Sequence, residues 1–263
     1  MNDLIFLKLG GSLLTDKTQT EALRGDVLAR LAAEIAAARA AAPGLRLVLG
    51  HGSGSFGHVA AARHGTRQGV KNAEQWRGFA AVSDAASRLN RHVVGALLAG
   101  GVPAISLQPS ASAQVADGRI SQLALEPLAA ALAAGLVPVV FGDVAFDSVR
   151  GGTIISTEEI MDYLAHALQP RWLLLAGETA GVLDQDGQII PTITRATLPD
   201  VLPALGGSRG IDVTGGMIAK VTAMLDLADA RPGLAVRIFS GLEPGLLTRL
   251  LIDPALPLGT RLA

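Results

Sequence analysis

Short aliphatic runs alternate with longer Ala- and Leu-rich segments along the whole chain, and this alternation constrains the fold more than any single residue does. The runs are Leu4–Leu9, Leu45–Leu49, Pro103–Leu107, Val137–Val144, Trp172–Ala176 and Ala235–Phe239. They are bounded as strands are. Between them lie Val27–Ala42, Glu74–Leu98, Leu128–Ala134, Glu158–Leu168, Met217–Ala230 and Pro244–Leu251, which are long enough and amphipathic enough for helices. Strand–helix alternation predicts βαβ units and a parallel sheet buried on both faces. With 49% apolar residues, 17% charged ones and 263 residues in all, the chain has ample material for a core. Aromatics make up only 3% and glycine numbers 31, so that core is aliphatic. Two local signals support the scheme. Ser156-Thr157-Glu158-Glu159 fits a capping box opening a helix, and Asp186-Gly187 between apolar pairs reads as a hairpin turn. Pro191 to Ile211 is turn-rich.

Several function classes are excluded early. A formal net charge of −1 offers no overall field for nucleic acid. With no cysteine there are no disulfides, thiolate zinc sites or iron–sulfur clusters. The longest strongly apolar stretch, Pro127 to Phe141, falls short of the ~20 residues of a membrane-spanning helix and is interrupted by Gly135 and Pro138. Met1-Asn2-Asp3 is not a basic leader region. These features predict a soluble cytoplasmic protein that binds neither membrane nor nucleic acid.

In an open α/β sheet, ligands bind beyond the carboxyl ends of the strands, and the glycine-rich segments fall there. Lys8-Leu9-Gly10-Gly11-Ser12 ends the first strand. His51-Gly52-Ser53-Gly54-Ser55-Phe56-Gly57-His58 follows the second. Gly142-Asp143 ends another, and Asp212-Val213-Thr214-Gly215-Gly216-Met217 leads into the helix with Lys220. Glycines let backbone N–H groups approach phosphate oxygens, and a following helix N-terminus adds partial positive charge. Only four of the 22 basic residues are lysine, namely Lys8, Lys17, Lys71 and Lys220, and three of these adjoin glycine-rich or turn-like segments. A lysine is a compact charge on a flexible stem, suited to sites where a guanidinium fork does not fit. One such loop alone would merely turn the chain. The set with its lysines points to a polyphosphate site.

Two motifs compete with that reading. Gly52-Ser53-Gly54-Ser55-Phe56-Gly57 matches G-x-G-x-x-G, but it follows the second strand, and the acidic residue at the expected distance, Glu74, is not at a strand end. A dehydrogenase would also leave Lys8, Lys17 and Lys220 unexplained. No G-x-x-x-x-G-K-[ST] occurs, so a phosphoryl-transfer enzyme here is not a P-loop one. Among the five histidines, His58 lies just past the glycine loop, where it either donates to a phosphate or merely caps a helix.

Taken together, Lys8-Leu9-Gly10-Gly11-Ser12 with Asp16-Lys17, the second-strand glycine loop, and Asp212-Val213-Thr214-Gly215-Gly216-Met217 with Lys220 resemble the amino acid kinase superfamily. Within it, Gly54-Ser55-Phe56-Gly57-His58 is the mark of the isopentenyl phosphate kinases. The resemblance runs from Leu4 to Gly259-Thr260-Arg261-Leu262. It implies a single domain over residues 1–263, a three-layer αβα sandwich around a mostly parallel open sheet. Residues of about 1–150 would hold the phosphate acceptor and about 151–263 would hold ATP. The implied reaction is isopentenyl phosphate plus ATP giving isopentenyl diphosphate and ADP, with Mg²⁺ accompanying ATP, in a homodimeric enzyme of an alternative mevalonate route to isoprenoids.

By the same resemblance, Lys8, Lys17, Lys220 and His58 carry the catalysis. ATP is contacted by Lys8, Leu9, Gly10, Gly11, Ser12, Gly54, Glu178, Gly215, Gly216 and Lys220. The acceptor is met by Ser53, Gly54, His58 and Thr157, and its tail by Phe79 and Val82. That last pair shares a helix face and would serve equally as ordinary core. Glu158 and Asp143 would orient the lysines, although Asp143 could instead cap local backbone. No metal ligand is assigned to the protein. The chain departs from the family at Ser53, at Ser156-Thr157-Glu158-Glu159, and at Gly177-Glu178-Thr179-Ala180-Gly181, which replaces the usual nucleotide segment. An acceptor phosphate is already anionic, so no catalytic base is required. Two alternatives stay open at this point: a kinase for another small phosphate or phosphonate, similar to the fosfomycin kinases, and a non-catalytic nucleotide-binding module.

Overall fold

Every residue of the first strand, β1 (Leu4–Leu9), is buried, as a central parallel strand must be. The computed structural model describes residues 4–205 and 216–263. After β1 come a one-turn helix α1 (Gly11–Leu14), a hairpin of β2 (Thr15–Asp16) and β3 (Ala22–Leu23), then α2 (Gly25–Ala41) and β4 (Arg46–His51). Next are α3 (Gly54–His64), a long α4 (Ala73–Ala99), β5 (Ala104–Ser106), β6 (Gln114–Ala116), β7 (Arg119–Gln122) and α5 (Glu126–Ala133). The chain continues through β8 (Val137–Phe141), β9 (Asp143–Asp147), β10 (Gly151–Ile155), α6 (Thr157–Leu168) and β11 (Trp172–Gly177). It ends with β12 (Thr192–Ile193), α7 (Leu198–Leu205), α8 (Gly216–Ala230), β13 (Ala235–Ser240), α9 (Leu246–Ile252) and β14 (Thr260–Leu262).

The central sheet has eight strands in the order β12-β14-β13-β11-β1-β4-β8-β5. Its pairings are parallel except that between β13 and β14. Side chains alternate along β1, and the alternation sorts the core into two layers. Leu4 and Phe6 join the cluster formed with α5, α6, α7 and α8. Ile5, Leu7 and Leu9 join the cluster formed with α2, α4 and α9. The expected αβα sandwich is therefore present. So is the capping box: Glu159 N donates to Ser156 Oγ at 3.2 Å and Ser156 N donates to Glu159 Oε2 at 2.6 Å. At the expected hairpin Leu183 bridges Ile189, with Gly187 at φ 76°.

One expected strand is corrected. Val137–Val144 is not continuous. The chain leaves the central sheet at Gly142, and Val144 belongs to β9 in a second, four-stranded sheet of order β10-β9-β6-β7. Both flanks of Gly142 are buried, and the apolar residues resume at Val144 directly after Gly142-Asp143, which is why the two strands read as one run. The second sheet itself was not expected, because β6 and β7 are short and carry mostly polar residues.

Asp147 holds the turns of that second sheet. Its buried carboxylate accepts from the backbone N–H groups of Asp117, Gly118, Val149 and Arg150 at 2.7–3.1 Å. Burial pushes its pKa up, but the four donors outweigh this and hold it below the ordinary 3.8. A depressed folded-state value means the stabilisation is complete above the unfolded-state pKa and is lost as pH falls through the folded one. Asp147→Ala should cost about 3 kcal/mol at pH 7, because the orphaned N–H groups lose a charged acceptor. In thermal melts, the gap between wild type and variant should narrow steadily as the pH is lowered below the ordinary aspartate range. A gap independent of pH would contradict this assignment.

Candidate active site

The first two glycine loops touch back to back at the carboxyl edge of the central sheet. Gly52 N donates to Leu9 O at 3.0 Å, and Gly10 N donates to Ala176 O at 2.8 Å. A Cβ on Gly11 would stand 2.5 Å from Gly54 N and 2.7 Å from Gly54 Cα. Gly54 adopts φ 51°, in the left-handed region that favours glycine. Thr15 stitches the loops together. Its buried Oγ1 donates to Gly11 O at 2.8 Å and accepts from Ser55 N at 2.9 Å. Gly11 and Ser12 open α1, so their N–H groups have no acceptor inside that helix, and Gly54 opens α3 beside them. The result is a concentration of backbone donors suited to an anion.

The same alternation that sorts the core puts Lys8 on the α6 and α8 face of β1, one residue short of the loop. It is buried and ion-paired with Glu158 in the first turn of α6. Opposite Lys8 in the β4 register stands Gly50, where a Cβ would collide with Thr157 and Met161 of α6. That missing side chain lets the start of α6 come close. Burial raises the Glu158 pKa, but the Lys8 ammonium and then the Lys220 charge more than compensate, holding it below the usual 4.5. Lys8, Glu158 and Lys220 thus form one electrostatic cluster, drawn from β1, α6 and α8.

The remaining expected residues are distributed as follows. Lys17 is exposed on the β2–β3 hairpin, which is tied to α3 by Ala22 N donating to Ser55 Oγ at 3.2 Å. Glu178 follows β11 at the same sheet edge and pairs with Arg24 at 2.8 Å. Gly216, at φ 67°, opens α8. His58 belongs to α3, and its side chain lies outside what is described; Gly215 lies outside the described residues. Phe79 and Val82 sit in a small apolar cluster with Val70 and Val144, apart from the two main cores. Phe79 also packs on Trp76 and Phe146, with ring centroids 5.1 and 5.3 Å away.

Four of the expected residues make contacts within the protein itself. Asp143 orients no lysine among the described residues. Its carboxylate accepts from Ser83 Oγ, Gln108 Nε2 and the N–H groups of Ser110 and Val144, so it caps local backbone. The Thr157 hydroxyl is buried and donates its proton to His51 O at 2.6 Å. Ser53 folds back on the first turn of α3, where a Cβ on Gly57 would stand 2.5 Å from its Oγ. Leu9 is core, and its carbonyl is taken by Gly52. Sequence reasoning missed Thr15, Arg24 and the buried His51. Of these only His51 carried a signal, since it lies inside the glycine motif.

The model of the amino acid kinase family matches residues 3–240. The chain belongs to the amino acid kinase family. Among its relatives in that family, the isopentenyl phosphate kinase of Methanothermobacter thermautotrophicus is 36% identical, with 98% of each chain covered. That of Haloferax volcanii is 43% identical over 85% of this chain and 88% of its own. A solved isopentenyl phosphate kinase structure superposes with a TM-score of 0.82 at 33% identity, over 99% of this chain and 100% of that one. An N-acetylglutamate synthase from Neisseria gonorrhoeae shares the family fold at a TM-score of 0.67 and 19% identity, covering 61% of its own chain.

Proposed function

We propose that this protein transfers the γ-phosphoryl group of ATP to isopentenyl phosphate, giving isopentenyl diphosphate and ADP. The observation that carries the proposal is the Lys8–Glu158–Lys220 cluster beside two abutting glycine loops. The relatives that match over most of their length are isopentenyl phosphate kinases, which supports the choice of acceptor. In the reaction an acceptor phosphate oxygen forms a bond to the γ-phosphorus as the bond to the ADP oxygen breaks. The two reacting groups are both anionic, so the protein's task is to align them and offset their repulsion. Lys8 and Lys220 provide fixed charge, the loop N–H groups provide donors, and Lys17 and His58 complete the set from the hairpin and α3. Residues 1–150 would hold the acceptor and 151–263 the nucleotide.

The donor set suits a polyphosphate, being cations and N–H groups. Mg²⁺ would enter on the phosphates of ATP, where it neutralises developing charge; it commonly keeps substrate oxygens and waters as most of its ligands. The prenyl tail would lie against Phe79 and Val82. A homodimeric, cytoplasmic enzyme is the form the resemblance implies and belongs to the same proposal.

Coupled ADP-release assays with isopentenyl, dimethylallyl and geranyl monophosphates and with phosphonate acceptors test the assignment. Isopentenyl phosphate should give the highest kcat/KM. His58→Ala should lower kcat/KM for the acceptor by about a hundredfold while ATP binding changes little. Preference for a phosphonate, or ATP binding with no transfer to any acceptor, would overturn it.

A further inference from the structure

His51 ends β4 fully buried, stacked on Phe141 with ring centroids 5.5 Å apart. The chemistry above does not use it. Its Nδ1 lies 3.1 Å from the Gly52 carbonyl oxygen, and its Nε2 lies 3.2 Å from Asn90 Oδ1. Asn90 Nδ2 in turn lies 2.6 Å from Ser106 Oγ. Burial drives the imidazole pKa down against these hydrogen bonds, and the Lys8 charge adds to the depression. The ring is therefore neutral, with a single N–H to give.

Only one arrangement of protons avoids an acceptor facing an acceptor. A carbonyl can only accept, so the proton sits on Nδ1 and is donated to Gly52 O. Nε2 then accepts, which turns the Asn90 amide nitrogen toward it and the amide oxygen toward the Ser106 hydroxyl. The two amide orientations have the same shape, so the network closes at no steric cost.

The consequence reaches the phosphate loop. A peptide is planar and trans, so its C=O and N–H point in opposite directions. With Gly52 O held inward, the N–H of Ser53 in that same peptide points away from the ring. Ser53 N has no acceptor among the described residues. Gly52 and Gly54 must be glycine because the first loop abuts them: a Cβ on Gly52 would stand 2.9 Å from Gly11 N. Glycine also leaves the intervening peptides free to rotate. We propose that His51 is a positioning residue that restrains this freedom, its Nδ1–H locking the Gly52–Ser53 peptide so that the Ser53 N–H is presented to the anionic acceptor. The proposal deepens the kinase reading and rests on it.

His51→Phe, His51→Asn and His51→Gln separate the ring from its proton. Phe keeps the stacking and loses the donor. Asn places an amide nitrogen near the Nδ1 position, whereas Gln places one near Nε2. In the full-length protein, His51→Phe and His51→Gln should raise KM for isopentenyl phosphate by about tenfold to a hundredfold, with KM for ATP changed less than about threefold. His51→Asn should recover most of the loss. A folded His51→Phe variant with wild-type KM for the acceptor, or Asn and Gln variants equally impaired, would overturn the proposal. If His51→Phe does not fold, the Asn and Gln pair decides it. If the wild type transfers nothing to isopentenyl phosphate, the kinase reading fails on its own. The loop assignment is then read by calorimetry with inorganic pyrophosphate, where the same order of variants supports it and equal affinities refute it.

Discussion

Replacing Lys8 with methionine should lower kcat by about 10²- to 10³-fold, or about 3–4 kcal/mol of transition-state stabilisation, in a protein that still folds. Lys8 is the charge nearest the glycine loops that is both buried and fixed, held by Glu158. A preorganised ammonium in a poorly solvated position acts on the developing charge without first having to reorganise. Methionine keeps the stem and its contacts with the α6 and α8 layer, so the loss is read as charge and not as a cavity. Glu158 stays partly solvated and retains Lys220, so the penalty for an unpaired carboxylate is small beside the kinetic effect. Lys8→Arg should not rescue, since a guanidinium is bulky and planar where the space admits a compact ammonium. Steady-state assays with ATP and isopentenyl phosphate, alongside thermal melts, make the measurement. A well-folded Lys8→Met protein within about threefold of wild-type kcat would remove Lys8 from the transfer step.

The second large effect is expected at Gly11. Its missing side chain faces backbone, with Gly54 N at 2.5 Å and Gly54 Cα at 2.7 Å from the position of a Cβ. No rotamer change relieves such a contact. Gly11→Ala must therefore push the two loops apart, and a displacement of about 1 Å in a positioning element costs about a hundredfold in rate. Overpacking of this kind also destabilises by about 1–3 kcal/mol. Gly95→Ala provides the control. Nothing lies within 4 Å of its Cβ position in α4, and there alanine should stabilise by about 0.5–1 kcal/mol with unchanged kinetics. Equal behaviour of the two variants in melts and assays would mean that the loop contact is not the constraint described.

Much of the scaffold was legible because local periodicity encodes which face of an element is buried. The expected helices at 27–42, 74–98 and 158–168 correspond to α2, α4 and α6, with ends displaced by a few residues at most. The second sheet was not legible. Its strands β6 and β7 have one polar face and few residues, and the pairing of β6 with β9 joins segments about thirty positions apart in the chain. The break at Gly142-Asp143 was marked by a glycine and a charge, but the apolar residues that follow it made two strands of different sheets read as one.

Within the candidate site, residue type was the readable quantity. The rarity of lysine singled out Lys8, Lys17 and Lys220, and the glycine spacing marked two loops that do abut. Roles that depend on where a side chain turns were not readable. Asp143 and Thr157 carry suitable groups but spend them on Ser83, Gln108 and His51 O. His51 looked like one letter of a motif, yet it is the buried imidazole beneath the loop.

The order of residues along the chain was sufficient to specify the βαβ rhythm, the buried faces and the stock of cations and glycines, because each depends on neighbours a few positions apart. The pairing of Lys8 with a carboxylate 150 residues away, the seating of Gly11 against Gly54, and the division of one apolar run between two sheets depended on the folded molecule. Those contacts are set by the lateral order of strands and by steric fit between distant backbones, and no local pattern records either.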